Sequence, residues 1–103
     1  MNKHIFINQK LYVYTDKQMR LLIPKIFSYK FGKDPKVYSL YYIGDDTIRA
    51  FIEKESSYTK DSTRLTIPRS IQKIMNIQVN DLFEVEPCEN GFLLKRVNKE
   101  DIE

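Results

Sequence analysis

At 103 residues, with 42% apolar and 30% charged residues, the chain is sized for one domain or for two very small units sharing a core. That composition excludes a disordered tail, and no stretch approaches the ~20 apolar residues of a membrane span. The one cysteine, Cys88, and one histidine, His4, exclude an internal disulfide and a Cys/His zinc site, and they fit a reducing, cytoplasmic setting; the N-terminal MNKHIFINQK carries no signal-peptide core.

In chain order, residues 4–14 (HIFINQKLYVY) read as a strand, followed by YTDKQMRLLIP at 14–24, a turn leading to a short strand that ends in Ile-Pro. KIFSYKF at 25–31 suits two turns of helix, with Phe27 and Phe31 four apart on one face and Gly32 placed to close it. Strands are predicted at 37–43 and 47–54 around a Gly44-Asp45-Asp46 turn. The pattern then begins again. YTKDSTRLTIP at 58–68 matches 14–24 at six of eleven positions: Tyr14/Tyr58, Thr15/Thr59, Arg20/Arg64, Leu21/Leu65, Ile23/Ile67 and Pro24/Pro68. RSIQKIM follows, with Ile71, Ile74 and Met75 as its apolar face, and Asn76 stands eight residues beyond Pro68 as Gly32 does beyond Pro24. Gly and Asn are the residues that most readily take the left-handed conformation that ends a helix. A last hairpin is predicted from 82–87 and 92–97, turning at Asn90-Gly91.

Net charge is only +3, but it is unevenly spread. Residues 14–30 hold Lys17, Arg20, Lys25 and Lys30 against Asp16 alone; residues 58–73 hold Lys60, Arg64, Arg69 and Lys73 against Asp61 alone. Both segments lack glutamate, and the remainder of the chain is net acidic. Two basic segments in equivalent places are an electrostatic footprint for a polyanion, most often nucleic acid; the plainer reading is two solvated faces. The halves differ, +5 over residues 1–51 and −2 over 52–103, so a polyanion held by both would be gripped asymmetrically. No nucleophile–base pair, phosphate loop or metal-ligand spacing is present, so neither an enzyme nor a cofactor or metal is expected.

The stretch TRLTIPRSIQKIMNIQVNDLFEVEPCENGFLLKRV resembles the AbrB/MazE/SpoVT family of swapped-hairpin DNA-binding domains, with Arg64, Ile67, Pro68, Ile71, Ile77, Asp81, Val85, Gly91, Leu94 and Lys95 in register. The first half follows through Arg20, Ile23, Pro24 and Gly32, then departs, with Lys33-Asp34-Pro35 replacing the family's Ile and Gly-Asp. Asn76 and Asn80 replace family glycines, a substitution left-handed positions tolerate. Ser28-Tyr29 and Gln72-Lys73 replace basic residues usual in mid-helix, which moves expected DNA contacts toward the preceding turns.

The resemblance implies a mostly β fold with short helices: a swapped-hairpin β-barrel built from two tandem repeats, 1–52 and 53–103, as an intrachain pseudo-dimer. Two chains exchanging copies is the competing topology. It further implies a non-catalytic partner of double-stranded DNA, a transcription regulator, with Arg20 and Arg64 side by side, Lys17 and Lys60 flanking them, and Lys25 and Arg69 facing the same way. Lys30 and Lys73 complete the basic set, and Thr15, Thr59, Ser62 and Thr63 are candidate hydroxyl contacts. The alternative is an antitoxin-type or architectural module that binds a partner protein, disfavoured by the short NKEDIE that follows the last predicted strand. Self-association is a further expectation, with Tyr38, Tyr41 and Tyr42 as a candidate subunit contact.

Overall fold

A computed structural model describes residues 4–7, 10–24, 36–55, 62–98 and 100, with side chains placed at 10–23, 38–51, 65–98 and 100. The chain is mostly β: β1 (His4–Ile7), β2 (Lys10–Tyr14), β3 (Arg20–Pro24), β4 (Lys36–Gly44), β5 (Thr47–Glu55), β6 (Ser62–Thr66), helix α1 (Arg69–Met75), β7 (Leu82–Cys88) and β8 (Gly91–Val97). A radius of gyration of 12.9 Å is that of a single domain of about 100 residues. Among the described residues, no helix is long and apolar enough to cross a membrane.

Six strands form an antiparallel sheet in the order β1-β2-β7-β8-β5-β4, and β3 pairs with β6 in a separate two-stranded ribbon. The sheet is open, ending at β1 and β4, and does not close into a barrel. Its core face follows the period-2 alternation of a half-buried sheet: Leu11 and Val13 of β2, Phe83 and Val85 of β7, Phe92 and Leu94 of β8, and Ile48 and Ala50 of β5 are all buried. Leu21, Ile23, Leu65 and Ile67 of the ribbon and Ile71 and Met75 of α1 join the same cluster. The core is thus shared by both halves of the chain.

The pairing registers carry a regularity. In the ribbon Leu21 lies opposite Leu65, and in the sheet Arg49 lies opposite Leu93; both pairs join residues 44 apart. The two hairpins close on Gly44 with Thr47 and on Cys88 with Gly91, again offset by 44. This is the spacing of the sequence repeat, in which Arg20 answers Arg64 and Pro24 answers Pro68.

Turn residues behave as their chemistry requires. Asn76 ends α1 at φ 51°, ψ 52°, and Asn80 and Asn90 take φ 70° and 61°. Asp45 and Asp46 both sit near φ 55°, the doubly left-handed geometry of a tight hairpin turn. Gly91 is required by contact: a Cβ there would lie 1.8 Å from the Ala50 carbonyl oxygen.

Three expectations are corrected and two are left aside. Residues 4–14 are two strands, β1 and β2, folded on each other with Ile7 opposite Lys10. β6 ends at Thr66, so Ile67-Pro68 form the entry to the helix instead of the strand end. Ile74 is 63% exposed; a seven-residue helix buries a narrow stripe, and Ile71 and Met75, four apart, fill it. The helix expected at 25–31 lies outside the described residues, and β5 runs across the expected 52/53 boundary between repeats.

Candidate nucleic-acid interface

The ribbon is two-faced. Leu21, Ile23 and Leu65 are buried beneath it, while Thr66 is exposed and Leu22 and Arg20 are partly so. Arg20 pairs in register with Thr66, and Arg64 with Leu22. The two arginines are therefore not side by side as expected. They occupy diagonal positions across the Leu21–Leu65 centre, about 7–8 Å apart at that spacing.

Asp16 organises the turn that leads into β3. Its Oδ1 accepts the backbone N–H of Gln18 at 2.8 Å and that of Arg20 at 2.9 Å, and its Oδ2 accepts Arg20 Nε at 3.0 Å. The Gln18 bond is an Asx-turn, the local bond that makes Asp favourable at such positions. Met19 completes the turn at φ 58°. Burial alone raises the Asp16 pKa, but the N–H groups of Arg20 and Gln18 and the Arg20 guanidinium outweigh it and hold the carboxyl below its ordinary value. Arg20 is thus oriented by an ion pair and is not a loose surface cation. Glu84, on β7, lies 3.6 Å from Lys10 Nζ.

Thr15 is fully buried. Its hydroxyl donates to the Gln78 carbonyl at 2.6 Å and accepts the Asp81 N–H at 2.9 Å, and its own backbone exchanges bonds with Asp81 and Asn80. The expectation that Thr15 contacts DNA fails for this reason: both capacities of its hydroxyl are spent fastening the first turn to the loop after α1.

The Ile67 N–H donates to the Met19 carbonyl at 3.0 Å, so the first turn abuts the entry to α1. Exposed Lys17 stands two residues before Met19 and exposed Arg69 two residues beyond Ile67, and exposed Lys73 lies one helical turn further on the face of Arg69. Arg69 is at the positive end of the helix with no acidic residue in the first turn, a place where the dipole disfavours a cation. Helix stability does not account for it. Lys73, in the last turn, is favoured there by the same dipole. Gln72 donates from Nε2 to the Ile67 carbonyl at 2.7 Å, bracing the entry.

Of the eight basic residues expected at the site, Lys17 and Arg20 lie in the first turn and at the start of β3, and Arg69 and Lys73 lie on α1, whose entry is bonded to that turn through Ile67 and Met19. Arg64 is placed by its backbone register alone, and Lys25, Lys30 and Lys60 lie outside the described residues, as does Thr59. Ser62 and Thr63 are placed in β6 by backbone only.

Other charged groups are structural. Arg96 bridges Asp46 at 2.9 Å and Asp81 at 3.5 Å in an open cleft of about 560 Å³, tying the first hairpin tip to the loop after α1. Arg49 donates to the carbonyls of Ala50, Phe92 and Glu89 and lies over the Phe51 ring at 4.0 Å. Burial pushes the Cys88 thiol up, opposed by nearby Arg49 and assisted by Glu86, so the thiol is not an activated nucleophile.

Sequence reasoning missed Asp16 as the organiser of the turn, although an Asp opening a turn and able to accept the N–H two residues on is a readable signal. It also missed Gln72. Comparison with protein families, curated proteins and solved structures gives no match to this chain.

Proposed function

We propose that the chain is a non-catalytic double-stranded-DNA-binding regulator of the AbrB/MazE/SpoVT type, with both repeats in one chain. The observation that carries the DNA reading is that exposed cations stand on both sides of the bond between the first turn and the helix entry: Lys17 in the turn, beside an Arg20 held by Asp16, and Arg69 and Lys73 on α1. A rigid turn presenting charge beside a short helix suits phosphate contacts, which supply most of the affinity and register on a duplex. Arg20, preoriented through Nε, adds a candidate for base-edge or bidentate phosphate contact.

The pseudo-dimer reading is supported by the common 44-residue offset and by one half of a hairpin swap: the second hairpin, β7–β8, lies between β2 and β5 of the first half. Under this reading the ribbon is the point where equivalent strands of the two repeats meet.

The test is fluorescence anisotropy with a labelled mixed-sequence duplex over a salt series, comparing wild type with Lys17→Ala/Arg69→Ala. The expected result is salt-sensitive binding whose log–log slope falls by roughly one per phosphate contact removed. Absence of binding at low salt, or a double variant with unchanged slope and affinity, would overturn the assignment.

A further inference from the structure

Arg20 is held differently from the cations around it. Lys17, Arg69 and Lys73 are exposed, whereas the Arg20 side chain is 27% exposed and its Nε donates to Asp16 Oδ2 at 3.0 Å. Asp16 is itself fixed, because its other oxygen accepts the N–H groups of Gln18 and Arg20. Nη1 and Nη2 of Arg20 donate no hydrogen bond to a described residue. The bond through Nε thus sets the plane of the guanidinium and leaves its terminal pair of N–H donors unengaged.

This arrangement suits a base edge better than a phosphate. Asp16 is ionised at neutral pH, its carboxyl being held below the ordinary 3.8, so the pair carries no net charge and draws a phosphate weakly. A donor fork of fixed orientation is instead what bidentate recognition of guanine O6 and N7 requires. The position agrees with this. Leu21 and Ile23 are buried beneath the ribbon, so by the alternation of a strand Arg20 and Leu22 belong to its outer face. Thr66, opposite Arg20 in register, is exposed. The major groove, about 12 Å wide, admits a two-stranded ribbon, and it is the groove in which guanine presents O6 and N7.

We propose that Arg20 reads guanine in the major groove, its terminal N–H groups donating to O6 and N7, with Asp16 as the positioning residue that fixes the guanidinium plane. The inference rests on the DNA-binding reading of the same site and adds a base preference to it. Lys17, Arg69 and Lys73 supply affinity through phosphates, and Arg20 supplies discrimination.

The test is fluorescence anisotropy at fixed low salt with labelled duplexes of equal length, built from G·C pairs alone or from A·T pairs alone. The first offers guanine at every register. Wild type should bind it about tenfold more tightly than the second, as one good bidentate contact implies. Inosine in place of guanine keeps O6 and N7 but gives the minor groove of an A·T duplex, and the preference should persist. With 7-deazaguanine, which lacks N7, most of it should disappear. These base analogues probe the wild type and depend on no variant. Arg20→Lys keeps the charge and loses the fork, so the preference should collapse with the salt slope unchanged. Asp16→Asn should narrow the preference while tightening binding to the A·T duplex, because it releases a net positive charge; a merely structural role for Asp16 would produce neither effect. Equal binding to all the duplexes, a preference that survives 7-deazaguanine but not inosine, or one that Arg20→Lys leaves intact would overturn this inference alone. Absence of binding to every duplex would overturn the DNA-binding reading beneath it.

Discussion

Replacing Asp16 separates the turn's hydrogen bonding from its charge. Asp16→Ala removes three accepted bonds, those from the Gln18 N–H, the Arg20 N–H and Arg20 Nε. The Gln18 N–H is exposed and water replaces the lost partner, so it is discounted. The two bonds to Arg20 are partly buried, and hydrogen bonds to a charged group contribute ~1.5–3 kcal/mol each at most. Part of that is the ion pair, which at 27% and 13% side-chain exposure is weakened by solvent. The expected loss for Asp16→Ala is about 2–3 kcal/mol. Asp16→Asn keeps a side-chain oxygen for both backbone N–H groups and loses the charge, for about 1 kcal/mol.

Urea unfolding at pH 7 measures both differences. The pH dependence fixes the sign. Because the folded pKa of Asp16 lies below its ordinary 3.8, its ionised form stabilises the fold fully above that value, and the contribution is lost as pH falls through the folded pKa. The gap between wild type and Asp16→Asn should therefore be constant from pH 7 down toward 4 and close below it. Equal stability of Asp16→Ala and wild type, or a gap that widens on acidification, would refute the assignment of Asp16 as organiser of the turn.

Three further outcomes follow from packing. Gly91→Ala would force a Cβ to within 1.8 Å of the Ala50 carbonyl oxygen and 2.8 Å of Arg49 Nη1; overpacking together with backbone strain predicts a loss of about 3 kcal/mol or failure to fold, read from thermal unfolding. Thr15→Val leaves the Asp81 N–H and Gln78 carbonyl without the hydroxyl they share, and urea titration should show a loss of about 1–3 kcal/mol. Leu65→Ala should cost about 2–5 kcal/mol, with a non-additive double variant alongside Leu21→Ala because the two lie directly opposite, whereas Ile74→Ala should stay within about 0.5 kcal/mol.

The second half of the chain was the more legible. Its left-handed asparagines, its Asn90-Gly91 turn and its helix bounds were all readable, since each depends on local backbone chemistry that Gly, Asn and Pro advertise. What was not readable depends on long-range register. Whether Arg20 meets Arg64 directly or diagonally is set by how β3 slides along β6, and a shift of this kind changes no local propensity. Thr15 looked like a surface hydroxyl because its partners, Gln78 and Asp81, lie more than sixty residues away. Ile74 looked buried because period 3.6 allows three neighbours on a stripe that a two-turn helix fills with two. The separation of β1 from β2, with Ile7 opposite Lys10, was hidden by an apolar pattern that continues in both strands.

On the proposed function, duplex DNA is held by the first turn and the start of α1. Backbone amide NMR shifts followed during titration with a mixed-sequence duplex test it most directly. The account predicts perturbations concentrated at residues 16–20 and 67–73, fading as salt is raised. Perturbations confined to the outer face of the sheet around Tyr41 and Phe51, or none at low salt, would contradict it.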